Sequence, residues 1–237
     1  NGCSKVVVLS NHKCIPELKI KLSYLTSKIK VDYVDQFKFD PAYPNYRRRP
    51  WGTGHAVLSC AKLISEPFLG DPNFSRSVIL LLEYSEEGGA IGFVLNKPTD
   101  LYMSDIIDDY PSDSFRFHYG GPVKPENVFF LHSIGDVIIN SQQIMPGLWW
   151  GGDFDQITSL IKSGSISPGE VKFFGGYSGW SATQLESELA ERSWILGGLN
   201  IEEIMKEDMD ELWRESLKSL GKKFSIIADF PEDPALN

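Results

Sequence analysis

Three short stretches of the sequence combine glycine or proline turns with polar side chains, and these stretches have the residue types that a ligand site needs. They are LNKP (95–98), YGGP (119–122) and GGYSGW (175–180). Glycine lets another molecule approach the backbone closely, and a strand that leads into a helix leaves N–H groups free for an anion or a carbonyl oxygen. The predicted ligand-binding residues are Asn96, Lys97, Gly120, Gly121, Tyr177, Ser178, Gly179 and Trp180.

Ser178 is a candidate nucleophile, but its surroundings do not favour catalysis. A nucleophile elbow has the pattern Gly-x-Ser-x-Gly after a strand, and GYSGW has Trp180 at the last position. In residues 63–237 the histidines are His118 and His132, each in an aromatic, strand-like stretch that is typical of a buried structural residue. We therefore predict no catalytic residues. A hydrolase using Ser178 with a pocket histidine is the alternative, and a hydrogen bond between the two would favour it.

Metal and cofactor chemistry has no support in the sequence. No group of His, Cys and Asp residues has the spacing of metal ligands, so we predict neither a metal nor a cofactor. Cys3, Cys14 and Cys60 form no C-x-x-C pair, which indicates reduced thiols and a cytoplasmic location.

Residues 63–237 carry the patterns of an α+β domain with a mostly antiparallel sheet flanked by helices. SVILLLEY (77–84) and AIGFVLN (90–96) are predicted strands separated by a glycine-containing turn, which indicates a hairpin. Further strands are predicted at 128–133, 171–177 and 224–230, and helices at 102–110, 153–164, 181–194 and 208–223. Asp153 and Ser181 are the predicted caps of the second and third of these helices.

The first part of the chain has a different pattern. Strands at 4–10 and 30–37 enclose a predicted helix at 15–29, and a further helix is predicted at 54–64. Strands that alternate with helices favour parallel pairing, so this part is predicted to be a short βαβ-like fragment.

The charge balance changes sign between the two parts. Residues 1–62 contain 11 Lys and Arg against 4 Asp and Glu, a balance of +7, whereas residues 63–237 contain 12 against 28, a balance of −16. The net charge of the whole chain is −9. This acidic excess opposes binding to a phosphate backbone, so we predict that residues 63–237 do not bind nucleic acid. No apolar run approaches the roughly 20 residues that span a bilayer, so no membrane role is predicted.

From about residue 62 onward the sequence resembles the YqgE/AlgH family. The resemblance rests on KLISEPFLGDPNFSRSVILLLEYSEEGGAIGFVLNKP, YGGPV followed by FFLHS, FGGYSGWSATQLESEL followed by SWIL, and LWRESLKSLG. It implies a bacterial protein with an α+β fold and no established biochemical activity. Some members carry the label of transcriptional regulators, and the resemblance transfers that label without a mechanism.

Residues 1–61 resemble an internal piece of a sugar-nucleotide pyrophosphorylase-type nucleotidyltransferase. The resemblance rests on CSKVVVLSN, IKVDYVDQ and RRPWGTGHAVLSCAK, and it implies a nucleotide-binding remnant at Gln36, Gly52 and Thr53. The glycine-rich phosphate loop and the metal-binding aspartate of that family have no counterpart in this sequence, so the fragment is predicted not to be functional. The predicted domains are therefore 1–61 and 62–237.

These observations predict a non-catalytic protein of the YqgE/AlgH kind that binds an unknown small molecule or protein and has a possible regulatory role. The hydrolase is one alternative. A nucleotide-binding or nucleotidyltransferase remnant in residues 1–62 is the other.

Overall fold

The structure is a computed structural model that describes residues 5–10, 30–35, 61–85, 87–198 and 201–231. The chain divides into two compact units, residues 1–59 and residues 60–237. In the first unit, β1 (Lys5–Ser10) and β2 (Lys30–Asp35) pair in parallel, with Lys5 opposite Lys30. This pairing agrees with the predicted βαβ-like pattern. The helices predicted at 15–29 and 54–60 lie outside the described residues, as do Gln36, Gly52 and Thr53.

The second unit is built on a ten-stranded sheet. Its strands are β3 (Ala61–Ser65), β4 (Val78–Ser85), β5 (Gly89–Val94), β6 (Pro98–Tyr102), β7 (Arg116–Tyr119), β8 (Val123–His132), β9 (Gln142–Met145), β10 (Leu148–Trp150), β11 (Val171–Trp180) and β12 (Trp194–Gly198). The order along the main path is β12-β3-β4-β5-β11-β8-β10-β9, with β7 paired to β11 and β6 to β7. Among the described pairs of this sheet only β7 and β11 run in parallel, which confirms a mostly antiparallel α+β fold.

Helices flank this sheet. They are α1 (Met103–Ile106), α2 (Phe154–Lys162), α3 (Gln184–Ala190), α4 (Ile201–Met205), α5 (Leu212–Ser219) and α6 (Lys222–Ala228). The side chain of Asp153 accepts a hydrogen bond from the Gln156 N–H at 2.8 Å, so the predicted cap of α2 is present.

The core consists of two clusters of buried side chains. Phe173 belongs to one and Phe174 to the other, and both are fully buried. Because successive residues of a strand point to opposite faces, the clusters lie on the two faces of the sheet at β11. Trp213 and Leu217 of α5 cover the Phe174 face, and Ile157 of α2 covers the Phe173 face.

Two segments have a secondary structure different from the prediction. Ala61–Ser65, predicted as the end of a helix, is a strand between β4 and β12, and Leu63 and Ile64 are both fully buried. A strand buried on both faces is a continuous apolar run, which periodicity cannot distinguish from a buried helix. The predicted strand at 224–230 is wrong as well, because α6 occupies Lys222–Ala228 and packs Phe224, Ile227 and Ala228 on the core at helical spacing.

Three predicted helices are shorter than expected. The first spans only Met103–Ile106, and the last spans Leu212–Ser219. The third begins at Gln184, because Thr183 is its N-cap and the Ser181 N–H and hydroxyl both donate to the Gln184 side-chain oxygen. Ser181 therefore begins a turn before the helix and is not its cap.

Candidate ligand-binding site

The predicted site residues from two of the three glycine or proline stretches meet where β5, β7 and β11 join. The Gly120 carbonyl accepts hydrogen bonds from the Val94 N–H at 2.9 Å and from the Ser178 hydroxyl at 3.2 Å. A Cβ on Gly121, whose φ is +151°, would lie 2.2 Å from the carbonyl carbon of Tyr177. The two glycines therefore allow two backbone segments to touch, and that contact accounts for both of them structurally.

The Asn96 and Lys97 side chains hold the chain segment before β4. Asn96 Oδ1 accepts from the Val78 N–H at 2.7 Å, and its amide donates to the Arg76 carbonyl at 2.8 Å. Lys97 Nζ donates to the carbonyls of Pro72 and Asn73. Burial lowers the pKa of Lys97, and the nearby charge of Asp71 acts in the opposite direction.

Residues 178–180 lie within β11, and the next helix begins only at Gln184. Ser178, Gly179 and Trp180 pair with Gly92, Ile91 and Ala90 of β5. The premise of an anion site at the start of a helix is therefore wrong at this position. The indole N–H of Trp180 donates to Glu188 at 2.8 Å, and that of Trp194 donates to the same carboxylate oxygen at 2.7 Å.

The Ser178 hydroxyl makes no hydrogen bond to a histidine of the described residues, although a hydrolase would need one. Its hydroxyl is fully buried and donates to the Gly120 carbonyl. His118 Nδ1 contacts the Phe173 carbonyl, and the ring of His132 stacks on Trp149 at 6.1 Å. The hydrolase alternative therefore remains without the Ser–His pair it requires in the described part of the chain.

A cleft of about 630 Å³ lies beside this junction, between β6, β7, the start of β11 and residues 205–210. His118 and Lys172 line it and are each only 4% exposed, and Arg116 lies at its opening. Its exposed rim carries four carboxylates, those of Asp113, Glu207, Asp208 and Asp210. The cleft therefore has buried basic side chains inside and an acidic edge.

The strand register places these basic side chains on one face. Phe117 of β7 is opposite Phe173 of β11, and His118 is opposite Phe174. Because side chains alternate along a strand, Arg116 and His118 share a face of the sheet with Lys172.

Lys172 carries a buried ammonium group with no paired carboxylate. Its Nζ donates to the backbone carbonyl of Lys206, and no carboxylate of the described residues lies within 4.0 Å of it. Burial lowers the pKa of Lys172 to about 8, although the charge of Glu207 acts to raise it. The group is therefore still mostly protonated at pH 7, and a buried charge of this kind is costly unless an opposite charge lies near it.

His118 presents a hydrogen-bond acceptor in the same place. Its Nδ1 lies 3.3 Å from the Phe173 carbonyl oxygen, and because that oxygen can only accept, Nδ1 carries the proton. Burial, followed by the charge of Lys172, lowers the pKa of His118 to about 4, so the ring is neutral at pH 7. Its Nε2 is then an unprotonated acceptor, and it has no hydrogen-bond partner among the described residues.

The sequence-based site and the cleft are neighbours but do not coincide. None of the eight predicted ligand-binding residues lines the cleft. Pro98, the last residue of LNKP, and His118, which precedes YGGP, do line it. The predicted role of the eight residues in ligand binding stays a prediction. A signal for the cleft was present in VKFF (171–174), where a lysine interrupts an otherwise apolar buried strand.

With the fold and cleft described, the chain can be assigned to a class of protein. The family described as AlgH-like, DUF179, matches residues 62–225, and the chain belongs to this family. A UPF0301 protein of Chlorobaculum parvum is 41% identical over 182 residues, which cover 76% of this chain and 97% of that protein. A UPF0301 protein of Chlorobaculum tepidum is also 41% identical, over 184 residues that cover 78% and 95%.

Solved structures agree with this assignment. The solution structure of the AlgH protein from Pseudomonas aeruginosa superposes with a TM-score of 0.61 at 26% identity, and the match covers 78% of this chain and 98% of that one. A crystal structure of a Corynebacterium diphtheriae protein superposes with a TM-score of 0.59 at 18% identity, covering 72% and 91%, which shows the fold alone. The resemblance of residues 1–61 to a nucleotidyltransferase stays a prediction.

The described residues contain neither of two further features. No group of three or more His, Cys, Asp and Glu side chains there is placed to hold a metal ion. None of the helices in that part of the chain has the length and apolar character needed to cross a membrane.

Proposed function

We propose that this AlgH-like protein is a non-catalytic binding protein whose ligand is a small molecule with an anionic group, held by Lys172 in the cleft. The carrying observation is the buried Lys172 ammonium, which faces the cleft without a carboxylate partner in the described part of the chain. A ligand anion would supply the missing opposite charge in a site already shielded from water. The regulatory role implied by the family resemblance would then depend on occupancy of this cleft.

The lining of the cleft favours a ligand that also has an apolar part. The side chains of Met205 and Met209 lie along one wall, and that of Tyr102 lies near the rim. Methionine adapts its shape to different apolar groups, which suits a site for a small molecule. An aliphatic carboxylate combines an anion with an apolar chain, so 4-methylpentanoate is a suitable probe.

The test is isothermal titration of the full chain with 4-methylpentanoate. The Lys172→Met variant keeps an unbranched side chain of similar size and removes the ammonium. Loss of a charge-assisted hydrogen bond is worth about 1.5–3 kcal/mol, so we expect affinity to fall about tenfold or more. Lys162→Met, which changes an exposed lysine of α2 far from the cleft lining, is the matched control and should bind like the wild type.

Two results would contradict the proposal. One is an equal affinity in the wild type and in Lys172→Met. The other is a loss of binding in Lys97→Met while Lys172→Met is unaffected, which would place the site at the sequence-predicted residues.

A further inference from the structure

The acidic rim of the cleft restricts the kind of anion that fits it. Four carboxylates surround the opening, against the two cationic side chains of Lys172 and Arg116. The guanidinium group of Arg116 already uses one donor within the protein, because its Nε donates to the Thr99 carbonyl at 2.8 Å. A ligand with only negative charge would be repelled at this edge, whereas a ligand that also carries a positive charge would be attracted.

His118 restricts the chemistry of the ligand in a second, independent way. Its Nε2 is a buried acceptor without a partner among the described residues, and leaving such a group unsatisfied is costly. A carboxylate cannot satisfy it, because a carboxylate donates no hydrogen bond when ionised. A ligand that brings an N–H or O–H donor to His118 and an anionic oxygen to Lys172 would satisfy both groups.

We infer that the ligand is an α-amino carboxylate, that is, a free amino acid whose carboxylate binds Lys172 while its ammonium group donates to His118 and faces the acidic rim. His118 and Lys172 lie diagonally across the paired strands β7 and β11, on one face of the sheet. The two side chains line the same cleft, and the charge of Lys172 acts on His118, so one small ligand can contact both. The inference rests on the proposed function, since it names the class of ligand for the same cleft.

The cleft is large enough for an amino acid with an aliphatic side chain, and its walls offer apolar contacts. About 630 Å³ is within the range of small-molecule sites, and Met205 and Met209 provide apolar contacts. A peptide offers a different chemistry, because its terminal ammonium and its terminal carboxylate are on different residues. Leucine is therefore the probe, and glycyl-leucine, which keeps the carboxylate and replaces the ammonium by an amide N–H, represents the peptide source.

The experiment compares five compounds that share the leucine side chain: leucine, 2-hydroxy-4-methylpentanoate, 4-methylpentanoate, 3-methylbutylamine and glycyl-leucine. Each is titrated calorimetrically into the full chain at pH 7. We expect leucine to bind about tenfold more tightly than 4-methylpentanoate, because it adds a charge-assisted hydrogen bond to His118. The 2-hydroxy acid should lie between them, since it donates to His118 without a positive charge. The amine should bind most weakly.

Two variants assign the difference to the residues named. His118→Phe should reduce the ratio of leucine to 4-methylpentanoate affinity to about one, since it removes the acceptor. The double variant D208N/E207Q should lower this ratio about threefold, because two partly screened carboxylates no longer attract the ammonium. E126Q, which changes an exposed carboxylate outside the cleft lining, is the control and should leave the ratio unchanged.

The outcomes separate this inference from the proposed function. If 4-methylpentanoate binds in a Lys172-dependent way but leucine binds no more tightly, the ligand class is wrong and the anion site stands. If glycyl-leucine binds more tightly than leucine, a peptide terminus replaces the free amino acid and the inference is overturned. If none of these compounds binds, both the inference and the proposed function fail.

Discussion

Replacement of Lys172 by Met is expected to stabilise the protein, because a buried unpaired ammonium lowers the stability of the fold. The pKa of Lys172 is lowered from its ordinary value of 10.5 to about 8 in the folded protein. A shift of this size corresponds to about 3 kcal/mol at pH 7. The variant also loses the charge-assisted hydrogen bond to the Lys206 carbonyl, worth about 1.5–3 kcal/mol, so the net expected stabilisation is no more than about 1.5 kcal/mol.

The lowered pKa of Lys172 also determines how the stability difference between wild type and variant changes with pH. Below pH 8 Lys172 is protonated in both the folded and the unfolded chain, and the full cost of the buried charge is present. Between pH 8 and 10.5 the unfolded chain binds more protons at this group, so the stability of the wild type rises relative to that of the variant. His118, which faces Lys172 across the cleft, is neutral throughout this window.

The assay is urea denaturation of the full chain, followed by tryptophan fluorescence at pH 7 and pH 9.5. Five of the six tryptophans lie after residue 60, so the signal reports mainly on the second unit. We expect the advantage of K172M at pH 7 to shrink at pH 9.5, while the control K162M should differ little from the wild type at either pH. A variant that is less stable than the wild type at pH 7, by an amount independent of pH, would refute the reasoning.

Three further predictions concern stability. G121A should be destabilised by more than about 3 kcal/mol, because its Cβ would meet the Tyr177 backbone at 2.2 Å. The control G169A, with no atom within 4 Å of the added Cβ, should be nearly neutral. Equal melting temperatures of the two variants would contradict the close contact at Gly121. The stability of the wild type should fall as the pH drops from 6.5 to 4, because the lowered pKa of His118 makes the unfolded chain bind more protons at this residue. Urea titrations at pH 7 and pH 4.5 should show a smaller loss of stability in H118F. An equal loss in both proteins would contradict this role of His118. S178A should cost about 1 kcal/mol in a denaturant titration through loss of the bond to the Gly120 carbonyl, and an unchanged stability would show that this bond contributes nothing.

The sequence predicted the elements whose patterns are local. The β4–β5 hairpin follows from apolar strands separated by a glycine turn, and α2 follows from the Asp153 cap and the spacing of Ile157 and Ile161. The incorrect secondary-structure predictions fall on short apolar runs. Ala61–Ser65 and Lys222–Ala228 are both too short for periodicity to separate helix from strand, and tertiary packing decides their form.

The cleft could not be predicted from sequence, because it depends on a long-range parallel pairing. Nothing in the pattern of RFHY (116–119) or VKFF (171–174) indicates that β7 and β11 are neighbours. The glycine turns were conspicuous for a different reason, since Gly120 and Gly121 permit the close backbone contact that brings these strands together. The residues that mark the cleft are instead a lysine and a histidine inside apolar strands.

The central claim is that the cleft at His118 and Lys172 is the binding site, and the measurement that tests it most directly locates the ligand. Leucine is titrated into ¹⁵N-labelled full chain, and two-dimensional amide and side-chain spectra are recorded at each step. The account predicts saturable shifts at His118, Lys172 and residues 205–210, and the loss of these shifts in K172M. Saturable shifts confined to Gly121 and Ser178–Trp180, or shifts that persist unchanged in K172M, would contradict it.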